Sequence, residues 1–156
     1  MAIARTVQEF LSSRDVDYEL VEHPRSVTSM RTAQAAHIPG ERLAKSVLLE
    51  DDTGYLMAVI PSTHHVDFGM LRQQLKRRVG LAIEEEVAEL FGDCDRGAIP
   101  AIGAAYRIDA IVDDALLRQP DVYFEAGDHE ALVHMSGKEF GMLMTGVRHG
   151  AFTRHA

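Results

Sequence analysis

Two short segments hold the residues whose types could do chemistry together. One contains Lys45, at the start of an apolar stretch that reads Leu-Ala-Lys-Ser-Val-Leu-Leu over residues 43–49. The other is residues 97–103, Gly-Ala-Ile-Pro-Ala-Ile-Gly. A glycine-rich loop can present backbone N–H groups to a carbonyl oxygen or a developing oxyanion, because no side chain blocks the approach. Either segment alone is a surface lysine at the start of a strand or a rigid connector, and the two features are more specific together than apart.

Other chemistries have no support from residue spacing. His129 and His134 are five residues apart, whereas the zinc-protease motif needs two histidines four apart on a helix. No Walker A, Gly-x-Gly-x-x-Gly or Gly-x-Ser-x-Gly sequence is present. The single cysteine, Cys94, lies between Asp93 and Asp95, whose charges raise the pKa of a thiol rather than activate it. Solvated or hydrogen-bonded histidines are therefore favoured over a zinc site built from distant histidines, and Cys94 is a poor candidate for a nucleophile.

Apolar spacing and capping residues predict the elements that position these segments. Thr6 and Asp67 are the expected N-caps of two helices, and Ser136 with Glu139 forms a capping box for the last helix. Helices are predicted over residues 6–14, 29–37, 84–91 and 136–144, with a further one after Asp67. Strands are predicted over residues 18–22, 44–50, 55–60, 106–112, 122–126 and 132–135, with a hairpin at 51–54.

The length and the order of elements favour a single mixed α/β domain over residues 1–156. A chain of 156 residues suits one domain, and its composition, 46% hydrophobic and 26% charged, is that of a globular protein. Hairpin-linked strands outnumber regular βαβ crossovers, so we expect an α+β-like arrangement with a mostly antiparallel sheet.

Charge limits the partners. With 16 basic and 24 acidic side chains, the formal net charge is −8, which argues against binding duplex DNA or anionic membranes. The dense basic run is Arg72, Lys76, Arg77 and Arg78. It is either the solvent-exposed side of a helix or a local patch that binds a phosphate backbone. No apolar run approaches the roughly 18 residues of a membrane span, and the N-terminus does not resemble a signal peptide. We expect a cytoplasmic protein.

The order and spacing of these segments resemble the YbaK/ProX family of aminoacyl-tRNA deacylases, which also occurs as the editing insertion of bacterial prolyl-tRNA synthetases. The resemblance covers nearly the whole chain. The matching segments are the strand ending in Glu22-His23, the short helix near Thr28, the lysine-bearing strand 44–48, its partner 55–60 with Pro61, the helix start at Asp67, the loop 97–103, and the hairpin 122–135 with Glu125-Ala-Gly-Asp-His129.

Two positions depart from the family pattern. The loop carries its proline at Pro100, whereas a Gly-x-x-x-Pro segment beginning at Gly97 would place it at Ala101. The final hairpin carries Glu125, where better known members have smaller polar or glycine residues. A carboxylate there could recognise a substrate α-ammonium or exclude substrates that other members accept.

The resemblance implies a mixed, mostly antiparallel, barrel-like core flanked by helices, and hydrolysis of a mischarged aminoacyl-tRNA by water without metal or cofactor. Lys45 would orient the terminal nucleotide and the ester, and the backbone of Gly97, Ala98 and Gly103 would hold the scissile carbonyl. The implied pocket residues are His23, Thr28, Met30, Ser46, Ile99, Pro100, Glu125 and Gly127, and the implied tRNA contacts are Arg72, Lys76, Arg77 and Arg78.

The implied partners are the acceptor end of an aminoacyl-tRNA and an aminoacyl-tRNA synthetase. The alternative is a non-catalytic module that keeps the pocket, recognises an aminoacyl end or a free amino acid, and partners a synthetase.

Overall fold

The computed structural model describes residues 3–26 and 28–156. The helices are α1 Arg5–Ser13, α2 Ser29–Ala35, α3 Phe68–Leu75, α4 Glu84–Leu90, α5 Asp114–Leu117 and α6 Gly137–Leu143. The strands are β1 Glu19–Glu22, β2 Leu43–Asp51, β3 Gly54–Pro61, β4 His64–Val66, β5 Gly80–Leu81, β6 Asp109–Asp113, β7 Asp121–Glu125, β8 Ala131–Ser136, β9 Arg148–Gly150 and β10 Thr153–His155. Short 3-10 turns occupy Gly40–Arg42 and Gly103–Tyr106.

The strands form a mixed sheet, as the sequence predicted. In the described part of the chain its order is β1-β8-β7-β2-β3-β6-β9, with β5 also paired to β2, and β4 and β10 form a separate ribbon. The β1–β8, β8–β7, β2–β3 and β2–β5 pairs are antiparallel, whereas β2–β7, β3–β6 and β6–β9 are parallel. The terminal strands of this order, β1 and β9, do not pair with each other in the described ranges, so the sheet is open.

Both faces of the sheet are buried, so β2 and β3 are largely apolar. The larger core cluster packs α1 and α6 against the sheet through Val7, Leu11 and Phe140. The second cluster packs α3 against the opposite face through Leu71, with Phe152 from the C-terminal segment. These two layers hold β2 rigidly in the centre of the domain.

One edge of β2 is unpaired over its middle. The strand pairs with β7 only at Leu43 and Ala44, and with β5 only at Leu49 and Glu50. A gap therefore separates β7 from β5 along this edge, and Lys45 stands at its beginning.

The backbone of Ser46 faces this gap. The Leu43 carbonyl accepts a hydrogen bond from the Ser62 N–H on the β3 side at 2.8 Å, whereas the Leu48 carbonyl accepts from the Ala82 N–H on the other side at 3.0 Å. Alternate residues of a strand direct their backbone groups to opposite edges. Ser46, two residues before Leu48, therefore directs its N–H and carbonyl into the gap.

Most local predictions are confirmed, and two are wrong. Asp67 and Ser136 cap α3 and α6 by accepting from the Met70 and Glu139 N–H groups at 3.0 and 3.1 Å. Thr6 caps nothing, because α1 begins one residue earlier with Ala4 as its N-cap. The orphan N–H of the first turn, that of Thr6, instead donates to the Asp93 carboxylate at 2.9 Å.

The strand predicted over residues 106–112 begins too early. The chain first makes the turn Gly103–Tyr106, then places Arg107 in the left-handed region at φ 58°, and only then enters β6. The Ile108 N–H closes this turn on the Gly103 carbonyl at 2.9 Å. The elements that the sequence pattern did not indicate, β4, β5, α5, β9 and β10, have only two to four residues, too few to show a period.

Candidate functional site

A small cavity lies at the gap along β2. Its volume is about 70 Å³, and it is bounded by the first turn of α2, the start of β2, the loop after α4 and the end of β7. The lining residues are Ser29, Leu43, Ala44, Lys45, Ser46, Gly97, Ile99 and Glu125. The structure thus brings the lysine-bearing strand and the glycine-rich loop together, although 52 residues separate Lys45 from Gly97.

Lys45 is half-buried in the wall of this cavity. Its ammonium has no hydrogen-bond or ion-pair partner within residues 3–26 and 28–156, and burial lowers the pKa of the group from its ordinary value. An unpartnered, partly desolvated cation attracts an anionic or strongly polar group more strongly than a solvated one does. Lys45 is therefore available to a substrate.

The loop 97–103 presents two free N–H groups beside Lys45. Gly97 has φ +80°, a conformation that favours glycine, and it is exposed. In the described part of the chain, the N–H groups of Gly97 and Ile99 make no hydrogen bond. The Ser46 hydroxyl donates to the Ile99 carbonyl at 3.2 Å and so fastens the loop to β2.

The loop differs from the expectation at Ala98. Its N–H donates to the Asp95 carbonyl at 3.0 Å and is therefore occupied. Ala98 is also fully buried and does not line the cavity. Ile99, which was expected only to contact the substrate, carries the second free N–H.

Glu125 lies at the end of β7 with a side chain that is only 10% exposed. Burial, and secondarily the charge of Asp128, raises the pKa of this carboxyl from 4.5 to about 8. Its Oε2 lies 3.9 Å from Nδ1 of His129, whose Nε2–H donates to the Arg96 carbonyl. Neither Glu125 Oε1 nor His129 Nδ1 has a hydrogen-bond partner among the described residues. Burial therefore favours the protonated, uncharged form of Glu125 near neutral pH.

A second, larger chamber lies next to the first. Its volume is about 230 Å³, and it shares Ser46, Gly97 and Ile99 with the small cavity. The remaining lining residues are mostly apolar: Val47, Leu48, Met57, Leu81, Ala82, Glu84 and Val87. Leu81 is 65% exposed, which makes this wall an accessible apolar surface.

Several predicted substrate-binding residues lie outside the small cavity. Thr28 is the N-cap of α2, accepting from the Arg31 N–H at 3.2 Å, and so positions Ser29. Met30 points outward at 47% exposure. Of the α2 segment, only Ser29, which the sequence analysis did not single out, lines the cavity.

The others have structural contacts instead. His23 is buried, and its Nδ1–H donates to the Pro24 carbonyl at 2.8 Å. Pro100 is buried in the loop, and Gly127 lies against Ala4 at φ +125°. Gly103 is buried at the far end of the loop, where its carbonyl closes the turn that precedes β6.

The structure divides the predicted basic patch. Both Nε and Nη2 of Arg72 donate to the Val79 carbonyl at 3.2 and 3.1 Å. These bonds hold the Arg72 side chain against the segment that connects α3 to β5. Arg77 forms an ion pair with Asp51 at 2.9 Å. Lys76 ends α3 in the left-handed region, and Arg78 is exposed. None of these four residues lines the small cavity at Lys45, which we call the lysine cavity from here on.

Metal-ligating and nucleophilic groups do not converge here. Residues 3–26 and 28–156 contain no group of three or more His, Cys, Asp or Glu side chains that could hold a metal ion. Burial raises the pKa of the Cys94 thiol to about 12.

None of the helices in the described ranges has the length and apolar character that a bilayer crossing requires.

The chain belongs to the aminoacyl-tRNA editing domain family, whose model matches residues 23–141. It is similar to the crystal structure of a candidate trans-editing enzyme for prolyl tRNA synthetase, with 28% identity and a TM-score of 0.82 over 97% of this chain and 96% of that one. It also resembles hypothetical protein APE2540, with 24% identity and a TM-score of 0.85 over 96% of this chain and 100% of that one. A comparison with curated proteins finds no match. The family resemblance read from the sequence is confirmed.

Proposed function

We propose that this protein is a free-standing deacylase that hydrolyses the ester of a mischarged aminoacyl-tRNA. The observation that carries the proposal is the unpartnered Lys45 beside the free N–H groups of Gly97 and Ile99, in a cavity of about 70 Å³. The membership of the chain in the editing domain family supports an aminoacyl-tRNA substrate. The similar structure of a candidate trans-editing enzyme supports action on an already charged tRNA.

Positioning and charge stabilisation suffice for this reaction, because an aminoacyl ester is already activated. Water attacks the carbonyl carbon, the carbonyl oxygen becomes negatively charged, and the Gly97 and Ile99 N–H groups donate to it. The bond to the ribose oxygen then breaks, and that oxygen takes the proton that the water gives up. Lys45, as an ammonium, orients the terminal nucleotide and offsets the developing negative charge.

The two chambers bind different parts of the substrate. The small cavity receives the aminoacyl group, and the larger chamber, with its exposed apolar wall at Leu81, receives the terminal nucleoside. Glu125 faces the aminoacyl group. A substrate α-ammonium near this carboxyl favours its ionised form, so binding would displace the proton that burial favours on Glu125.

The partners we propose are the acceptor end of a tRNA and, in the cytoplasm, a synthetase that produces the mischarged species. The non-catalytic module remains the competing hypothesis, because the Ala98 N–H, which was expected to hold the scissile carbonyl, donates to the Asp95 carbonyl instead. Hydrolysis distinguishes the two.

The decisive experiment is deacylation of a panel of mischarged tRNAs by the wild type, by Lys45→Ala and by Lys138→Ala. Lys138 is exposed on α6, so its removal controls for the loss of one positive charge. We expect one or a few species to be hydrolysed by the wild type and by Lys138→Ala, but not by Lys45→Ala. If the folded wild type hydrolyses none of them yet binds them, the protein is a binding module.

A further inference from the structure

A second site lies at the other end of β2. It is a cleft of about 530 Å³ that continues into a smaller one of about 300 Å³. Three arginines from separate parts of the chain line it: Arg77 after α3, Arg107 after the Gly103–Tyr106 turn, and Arg148 in β9. We call this surface the arginine cleft.

The arginines are held to different degrees. Arg77 pairs with Asp51 at 2.9 Å through Nε, and Arg148 donates one Nη2 bond to the Gln74 carbonyl at 2.9 Å. Each guanidinium has five N–H donors, so both retain free donors. The side chain of Arg107 has no partner among residues 3–26 and 28–156 and is exposed.

The charge balance in the cleft favours an anion. Among the described residues, Asp109 is the carboxylate that lines it, and Asp51 beside it pairs with Arg77, so the three guanidinium groups exceed these two carboxylates by one charge. The acidic helix α4 contributes the apolar Leu90 to the lining, and its Glu86 accepts a hydrogen bond from the hydroxyl of the lining residue Tyr55. On a chain of net charge −8, three converging guanidinium groups are a local exception. Their planar fork of donors matches phosphate oxygens.

The arginine cleft is connected to the lysine cavity in two ways. Lys45 and Asp51, the partner of Arg77, are six residues apart on β2, which is about 20 Å at a rise of about 3.3 Å per residue. The loop 97–103 also joins the two regions. Its Gly97 end lines the lysine cavity, and its Gly103 end begins the turn that positions Arg107.

We propose that the arginine cleft binds backbone phosphates of the tRNA acceptor stem while the terminal ester occupies the lysine cavity. This inference rests on the proposed function. A spacing of about 20 Å corresponds to roughly six nucleotides at about 3.4 Å per nucleotide along one strand. The ligand is therefore the duplex part of the acceptor stem, beyond the single-stranded end that carries the amino acid.

The test compares Arg107→Glu with Arg118→Glu in binding a fluorescently labelled, uncharged acceptor-stem hairpin RNA, measured by anisotropy. Arg118 is exposed after α5, does not line the arginine cleft and has no side-chain partner in the described ranges, so the two variants carry the same net charge. We expect Arg107→Glu to weaken binding about tenfold more than Arg118→Glu, the size of one charge-assisted hydrogen bond. The slope of log affinity against log salt should fall by about one.

Two further measurements separate this inference from the proposed function. Arg107→Lys should recover most of the binding lost in Arg107→Glu, because it restores the charge. In deacylation, the loss of kcat/KM caused by Arg107→Glu should be larger for a whole tRNA than for a 3′-aminoacylated dinucleotide.

The outcomes differ for the two ideas. If hydrolysis is found but Arg107→Glu and Arg118→Glu bind the hairpin equally, the arginine cleft is not the phosphate site. If no ester is hydrolysed but Arg107→Glu binds selectively less RNA, the inference stands and the deacylase assignment fails. Circular dichroism and a thermal melt confirm that each variant is folded.

Discussion

The lysine cavity and the arginine cleft both present cations, but in opposite physical states. In the lysine cavity, burial lowers the pKa of Lys45 and raises that of Glu125, so both groups move toward neutrality. In the arginine cleft, exposed guanidinium groups stay charged at any working pH. The lysine cavity is thus built from groups whose charge a substrate can change. The arginine cleft is built from groups whose charge is permanent. This difference suits reaction at one end of β2 and anchoring at the other.

The largest effect should come from removing Lys45. We expect Lys45→Ala to lower single-turnover deacylation by about 100-fold or more, the cost of losing one group that stabilises developing charge. Thermal stability should change little, because the ammonium has no partner to lose. Measuring rate and melting temperature together checks both statements. If the deacylation rate of Lys45→Ala lies within a few-fold of that of Lys138→Ala, Lys45 has no chemical role in the reaction.

The pH dependence of the same reaction sharpens the contrast. If Lys45 acts as an ammonium, the rate above uncatalysed hydrolysis falls as pH rises through its lowered pKa, whereas binding of the hairpin RNA in the arginine cleft does not. Rates and affinities measured from pH 6 to 10 test this. An enzyme-dependent rate that keeps rising over the whole range would instead indicate that Lys45 acts as a general base.

Glu125→Gln tests whether burial controls charge in the lysine cavity. The folded pKa of about 8 exceeds the ordinary 4.5, so the wild type loses stability as pH rises between these values. Glutamine does not titrate, so the advantage of the variant should grow by up to about 1.4 kcal/mol per pH unit in this window and be constant above it. Urea unfolding at pH 4, 6 and 9 measures it. Glu22→Gln, exposed at the end of β1, is the control; equal pH profiles for both variants would contradict the prediction.

A smaller effect is expected at Gly103, where the connecting loop meets the arginine cleft. A Cβ there would lie 2.6 Å from the Ile108 carbonyl oxygen, so Gly103→Ala should destabilise by about 1–3 kcal/mol and shift the turn that carries Arg107. Gly141→Ala, exposed within α6 with no atom in the way, should instead stabilise by up to about 1 kcal/mol. Chemical denaturation of both variants is the measurement. Equal changes in the free energy of unfolding for the two variants would show that the turn at Gly103 shifts to accommodate a Cβ without cost.

The smallest change concerns Asp93, which anchors the same connecting segment to α1. Its carboxylate accepts from the Thr6 N–H at 2.9 Å and from the Tyr106 hydroxyl at 2.8 Å. Asp93→Ala should cost about 1 kcal/mol, as loss of an N-cap does. Comparison with Ser136→Ala, which removes the local cap of α6, shows whether a distant cap is worth as much as a local one. No measurable loss on removing Asp93 would mean that water replaces it.

Local chemistry explains why much of the fold could be predicted from the sequence. The Asp67 and Ser136 caps, the hairpin at Gly54 and the apolar run around Lys45 each depend on residues within four or five positions of one another. The family resemblance rested on the order of such segments. The pairing of Lys45 with the glycine-rich loop as one site came from that order and not from spacing.

Contacts between distant residues decided the rest. Thr6 was expected to cap α1, but Asp93 supplies the hydrogen bond from 87 positions away. Ala98 was expected to donate to a substrate, but its N–H is used within the loop. The family resemblance implied that Arg72, Lys76, Arg77 and Arg78 contact tRNA. In the structure Arg72 donates to the Val79 carbonyl, and of these four residues only Arg77 lines the arginine cleft, with Arg107 and Arg148.

The sequence by itself therefore indicated the longer helices and strands and the family, and it singled out Lys45. Local caps, turns and apolar periods need no distant partner, and the family resemblance rested on their order. Only the tertiary structure decided the unpaired edge of β2, the shifted pKa values of Lys45 and Glu125, and the convergence of three arginines. Burial and convergence are properties of the space between elements, and that space exists only once the sheet has formed.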